Sequence, residues 1–258
     1  MQRRLAPARC AALLSLMSWT TLLLAQEAAA PEASPWRLVG DIGAGLNTAS
    51  SVVRGQSGRA TAIPYVNADF GAAFARIDTL GVRLAPAGYG SVELLSRVLD
   101  DGFTPRTASG ALPHRKGSLP LGIGTLQISP VGAFMANLYR DTGKSKGALA
   151  DFMYAAEIDF PAVALYPQAG VEYRSRGYVR YYDGVSAAEA RQGGLPAYAP
   201  GAASNGFAAL FVEARMGGHW YFNVNLRRTW LDRAVSNSPL ARRHVADSGL
   251  VALSYRFD

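Results

Sequence analysis

Three histidines, His114, His219 and His244, are the first residues to test for chemistry, because nucleophilic catalysis needs a base within hydrogen-bond reach of a hydroxyl or thiol. They fall in three different segments. Only His244 has suggestive neighbours, Asp247 and Ser248, and geometry rather than adjacency defines a triad. No catalytic residue is therefore assigned. The paired carboxylates Asp100 and Asp101 read as a strand end, and Glu157 and Asp159 as partners for arginines. No His/Asp/Glu spacing matches a metal site, so neither a metal nor a cofactor is expected. The Gly43–Gly45 and Gly122–Gly124 triplets lack the strand–loop–helix setting of a dinucleotide loop. Thr142–Ser145 (TGKS) lacks the earlier glycine of a phosphate-binding loop. The basic run His114, Arg115, Lys116 is a charged loop in the simplest view. As a candidate partner contact, it would steer toward anionic murein or an acidic protein surface.

The chain that must position these groups has 258 residues, 49% hydrophobic and only 17% charged, with Gly 27 and Pro 14. That composition excludes a disordered tail, a coiled coil and a disulfide scaffold. The formal charge is +7, but Arg3, Arg4 and Arg9 lie ahead of any acidic residue, and no basic face interleaved with aromatics follows. Nucleic acid is set aside as a partner. Arg3, Arg4 and Arg9, the apolar stretch Cys10–Leu24 and the small residues Ala25 and Ala28–Ala30 make the three parts of a secretory signal peptide. Residues 1–25 are assigned to it, with cleavage as late as 30, and 26–35 to a linker. Cys10 leaves with the signal, and the mature chain has no thiol chemistry.

No later run is long and apolar enough for a spanning helix. What recurs is alternation with a period of two, the mark of strands with one apolar face. In His219–Trp230, Trp220, Phe222, Val224, Leu226 and Trp230 share one face, with Arg228 the exception. The pattern returns in Trp36–Asn47, Tyr65–Arg76, Gly124–Tyr139, Asp151–Phe160, Leu165–Arg176 and Leu250–Phe257. Gly81–Ala85, Tyr89–Leu99 and Phe207–Arg215 are weaker candidates. The fold class is thus all-β, with about ten antiparallel strands. A soluble sandwich also alternates, but its strands are shorter. Trp220 and Trp230, ten residues apart on one face, would stand about 25 Å apart along a tilted barrel axis, the height of the apolar band of an outer-membrane barrel. A transmembrane β-barrel over 36–258 is favoured. Trp36, Trp220, Trp230, Tyr255 and Phe257 are expected in the membrane girdles. Asp41, Asp69, Arg97, Glu157, Glu172, Arg174 and Arg227 are expected as lumen charges, together with Glu93, Asp151, Glu213 and Arg215.

Loop lengths set the expected topology: long external connections, including 177–206, and short periplasmic ones. Residues 100–122 break the pattern, a long link on the periplasmic side. Either the link hides two strands, giving twelve, or it is a true periplasmic excursion.

Tyr181–Ala190 (YYDGVSAAEA), Leu195–Gly201 (LPAYAPG), His219–Trp220, Ser238–Leu240 and the closing Tyr255–Phe257 together resemble the MipA/OmpV outer-membrane proteins. Trp36–Leu46 and Ile63–Tyr65 are similar to the family's first hairpin. Asp183 interrupts the usual tyrosine–tyrosine–glycine–valine run, and Asp258 follows the phenylalanine that ends such barrels. The resemblance implies a barrel in the outer membrane of a Gram-negative bacterium, without catalytic residues and in contact with outer-membrane lipid. It further implies a scaffold bridging a lytic transglycosylase and a penicillin-binding protein. A narrow porin-like channel and a surface adhesion or antigenic protein are the alternatives.

Overall fold

Strands whose two faces meet different media must pair edge to edge, and in a membrane only a closed ring leaves no edge unpaired. The computed structural model describes residues 37–99 and 101–257. The expected signal peptide and linker, and Trp36, lie outside the described residues. The chain runs through β1 (Leu38–Ala49), β2 (Arg59–Phe70), β3 (Ala73–Arg76), β4 (Thr79–Ala87) and β5 (Gly90–Arg97). A small hairpin follows, β6 (Arg106–Thr107) and β7 (Gly110–Ala111), then β8 (Pro120–Ser129), β9 (Gly132–Asp141), β10 (Ala148–Ala155), β11 (Ile158–Asp159) and β12 (Val163–Arg174). Two helices, α1 (Arg176–Asp183) and α2 (Ala187–Gly193), precede β13 (Ala203–Gly217) and β14 (Trp220–Trp230). The chain closes with α3 (Arg233–Ser236) and β15 (Val245–Phe257). Among the described residues no helix is long and apolar enough to cross a membrane.

All pairings are antiparallel, and β1 pairs with β15 from Gly40 opposite Phe257 to Ala49 opposite Ser248. With β10 paired to β12, the ring closes as a barrel of 12 strands; β6, β7 and β11 stand outside the count. Followed pair by pair around the ring, the register returns to β1 about 16 residues further on, a stagger that tilts the strands by about 45°. The first and last strands meet, so both described termini lie at one end.

The 100–122 link does not hide two barrel strands: it holds the small β6–β7 hairpin and only the first three residues of β8. The two further strands come from two segments read as single strands. Tyr65–Arg76 turns back at residues 71–72, where Gly71 has φ 60. Gly124–Tyr139 turns back at residues 130–131, where Pro130 can donate no ladder hydrogen bond. The first turn reverses the direction of everything up to the second. The link between β5 and β8 therefore lies at the end of the long connections, not with the short turns as the sequence suggested. The short connections 71–72, 88–89, 130–131, 156–162 and 218–219 share the opposite end.

β3 has only 4 residues, so β2 is paired on that side over Asn67–Phe70 alone. The carbonyl of Val66 accepts from the Ile77 N–H at 2.7 Å. Pro64 falls in the stretch above, where one side of β2 carries no ladder, a placement an edge tolerates.

Candidate functional site

The strand period sends every second side chain inward, and the inward polar residues meet across the ring. At the seam of first and last strands, Arg256 donates to both oxygens of Asp41 at 2.8 and 2.7 Å and to Glu213 on β13 at 2.7 Å. Asp41 is 2% exposed. The guanidinium also lies 3.8 Å from the Tyr221 ring centroid. Further round the ring, from β3 to β5, Arg76 donates twice to the buried Glu93, at 2.8 and 2.6 Å. Higher up, Arg97 on β5 reaches Asp78 at 2.9 Å and crosses to Asp151 on β10 at 3.0 Å. Asn137 donates to the same Asp151 at 2.8 Å. Glu172 on β12 receives Arg227 from β14 at 2.6 Å and lies 3.6 Å from Arg174. Strands that are not neighbours are thereby tied through the interior. Buried clusters of Phe74, Leu95 and Tyr139, and of Tyr65, Leu250 and Ala252, pack the space between.

Above this layer the long connections pack on one another as a cap. Leu112 from the β5–β8 link, Val185 from between α1 and α2, and Leu240 after α3 form one buried cluster; Val179, Ala203 and Val235 form another. Lone bridges join Val53 to Ala241 and Val185 to Tyr198. The α2 start is fixed by a capping box. The Ser186 hydroxyl accepts from the Glu189 N–H at 3.3 Å, and the Glu189 carboxylate accepts from the Ser186 N–H at 2.9 Å. Asp101 accepts from the Ser118 hydroxyl at 2.6 Å and from the Tyr178 hydroxyl, holding the link to α1. Burial, with the nearby Asp101 charge, pushes the Tyr178 phenol far above its ordinary value. Burial alone would also raise Glu189, but Arg115 and the Ser186 donors prevail and hold it below the usual carboxylate range. Asp183 is the opposite case: burial lifts it to about 7 despite Arg174 and Arg115 nearby. Arg174 lies 5.8 Å from the Tyr178 ring, which joins the lumen layer to the cap.

The outward face is apolar. Trp220, Tyr255 and Phe257 form a ring cluster at the short-turn end, with centroid spacings of 5.5 and 5.1 Å, and Trp230 is exposed at the other end of the same strand. Arg228, the exception in its strand, is matched by Asp247 directly across on β15 at 2.7 Å.

Of the seven predicted lumen charges, Asp41, Arg97, Glu172, Arg174 and Arg227 stand in this interior network. Asp69 pairs with Arg83 at 2.7 Å near the short-turn end. Glu157 departs from the expectation. It lies past the end of β10, in the connection, where it accepts from the Tyr166 hydroxyl at 3.0 Å. The partners that sequence reasoning missed are Arg76, Arg83, Arg256 and Asp78. Arg256 was visible as the inward parity of the closing strand, whereas Arg76 and Arg83 needed the turn at Gly71. His114, Arg115 and Lys116 sit in the link at the cap end. Arg115 is buried and bonded to Glu189 at 2.7 Å and to the Gly184 carbonyl at 3.2 Å. His114 Nδ1 lies 2.9 Å from the Thr104 hydroxyl. His244 finds no triad, since Asp247 is held by Arg228. Among the described residues no group of three or more His, Cys, Asp or Glu is placed to hold a metal.

The family model of MltA-interacting protein MipA matches residues 42–257. The chain is 24% identical over 221 residues to "Putative outer membrane protein YiaT" of Escherichia coli strain K12, covering 84% of this chain and 90% of that protein. It is also 24% identical over 147 residues to the "MltA-interacting protein" of Escherichia coli strain K12, covering 57% of this chain and 59% of that protein. The protein of that name from Shigella flexneri matches to the same extent.

Proposed function

Because this chain belongs to the MltA-interacting protein (MipA) family of outer-membrane barrels, we propose that it acts as a membrane-held scaffold for murein-remodelling proteins. The observation that carries this reading is the lumen layer, in which Arg97 joins β5 to β10 and Glu172 joins β12 to β14. A conduit needs a continuous wet path, and this interior is spanned by ion pairs and covered by a packed cap. Catalysis needs a nucleophile and a base that converge, and His114, His219 and His244 stand apart. What such a barrel offers its neighbours is surface.

With the short turns taken as the periplasmic end, the murein side holds one connection longer than two residues, 156–162. It presents Ile158 and Phe160, 46% and 56% exposed, beside Glu157 and Asp159. Apolar anchors rimmed by charge suit a protein partner better than a sugar polymer. The name of the relative supports a lytic transglycosylase as that partner, and we propose a penicillin-binding protein as its murein-synthesising counterpart. His114, Arg115 and Lys116 lie at the other end and are not part of this contact.

The test uses the folded protein in detergent as bait for envelope extract, with captured proteins identified by mass spectrometry. Capture of a lytic transglycosylase, lost in Ile158→Asp with Phe160→Asp, is the expected result. Capture of no murein enzyme by bait shown to be folded refutes the scaffold.

A further inference from the structure

A groove of about 480 Å³ lies on the outward face of the barrel, over β8, β9, β10 and β12. Its centre is low because Ala136 and Ala150 are small, and Ile123, Phe152, Val171 and Tyr173 stand around it. The register places Leu138, Ala150 and Tyr173 on one level, with Ala136, Phe152 and Val171 on the level below. Phe152 and Val171 are 47% and 53% exposed, so the groove is a recess in the lipid-facing wall.

The same strand face leads from this recess to a cation. Ala136, Leu138 and Arg140 are successive outward positions of β9, and Arg140 stands about 7 Å beyond Leu138 along the strand. Arg140 is at the cap end, on the rim that also carries Tyr173 and Trp230. The β9–β10 connection directly above adds Lys144 and Lys146, both exposed. The Lys146 ammonium donates only to the Thr142 carbonyl, at 2.8 Å, and Arg140 and Lys144 meet no acidic side chain of the described residues. An apolar recess topped by three cations is complementary to one class of molecule, an anionic lipid whose chains run down the wall and whose phosphates sit at the rim.

We infer that this groove is a binding site for lipopolysaccharide, the phosphorylated, multiply acylated glycolipid of the outer leaflet. The assignment rests on the outer-membrane placement, with the cap end facing outward, and not on any murein partner. Acyl chains fill the recess over Ala136 and Ala150. Arg140, Lys144 and Lys146 bind the phosphates of the headgroup, each such charge-assisted contact contributing about tenfold in affinity.

The experiment measures retention of hexa-acylated lipid A on the full folded chain by native mass spectrometry, with phosphatidylglycerol as competitor. Wild type is expected to keep lipid A against the competitor. Combining Arg140→Ser, Lys144→Ser and Lys146→Asn should weaken retention by about tenfold or more. Ala136→Leu with Ala150→Leu should weaken it by filling the recess. These positions face out, so the folded gel mobility should be kept; Arg140→Lys, which keeps the charge, should retain most binding. Arg228→Ser with Asp247→Ser, away from the groove, should change nothing. Equal retention by wild type and the cation variant, or displacement by phosphatidylglycerol as readily as by lipid A, overturns the site. No periplasmic protein enters this readout, so its failure is separable from failure of the scaffold.

Discussion

Asp183 sits where α1 ends, under the packed connections of the cap, and burial moves its pKa from 3.8 to about 7 although Arg174 and Arg115 pull the other way. The folded cap therefore holds the proton more tightly than the unfolded segment does. The sign follows from linkage. The stability contributed by this proton is complete below 3.8, and it is lost as pH rises toward and through about 7. The full interval corresponds to about 4 kcal/mol, reached at up to about 1.4 kcal/mol per pH unit and levelling off above the folded value. Asp183→Asn keeps the side chain neutral at every pH and removes this dependence. Amide hydrogen exchange over α1 and α2, corrected for the intrinsic rate, reads the opening of the cap directly. Between pH 5 and pH 7 wild-type protection should fall by about 2 kcal/mol, while the Asn variant stays flat and is the better protected at pH 8. A variant that follows the wild-type curve would refute the argument that the buried carboxylate governs this behaviour.

Arg256→Ala leaves the buried Asp41 carboxylate without its two donors and should cost about 3–5 kcal/mol, seen as a lower urea midpoint for loss of the folded gel mobility. An unchanged midpoint would mean the pair carries no stability. In planar bilayers the wild-type barrel should show no steady conductance step. Arg97→Ser with Arg227→Ser, which strips Asp78 and Asp151 of their guanidinium and leaves Glu172 only the more distant Arg174, should open a cation-selective leak; ohmic steps from wild type would instead make it a pore. Ser186→Ala removes one half of the α2 capping box and should reduce protection of Ala187–Gly193 by about 1 kcal/mol, with the barrel amides unaffected.

The strands were legible because one face meets lipid and the other the interior, so the period of two survives along each of them. What failed was the count of reversals. Tyr65–Arg76 and Gly124–Tyr139 each keep their alternation on both sides of a two-residue turn, and the pattern alone hides the break. The signals were present: Gly71 after Phe70, and Ser129-Pro130 before Gly132. Missing the first turn assigned the β5–β8 link to the wrong end of the barrel, and with it the proposed contact at His114, Arg115 and Lys116. The inward charges were largely legible by parity, yet their pairing was not. Nothing in the sequence brings Arg97 to Asp151 or Arg256 to Glu213, because those contacts depend on how far the ring is staggered. The cap was beyond reach for another reason. Its connections lack a repeating pattern, and Leu112, Val185 and Leu240 meet only because three loops converge.

The seam between β1 and β15 also sets an order of events. Asp41 and Arg256 are separated by 215 positions, so their pair cannot form until nearly the whole chain has been delivered. Each hairpin closes a short loop and can form early, whereas the ring must pay the entropy of its longest loop last. Until then two strand edges stay open, each a template for pairing with a foreign strand. A carboxylate waiting on the first strand for an arginine at the penultimate position of the last is a check that the register is correct before the barrel shuts. A chain cut short of Arg256 would leave Asp41 unmatched, and would be left with open edges for the cell's quality control to find.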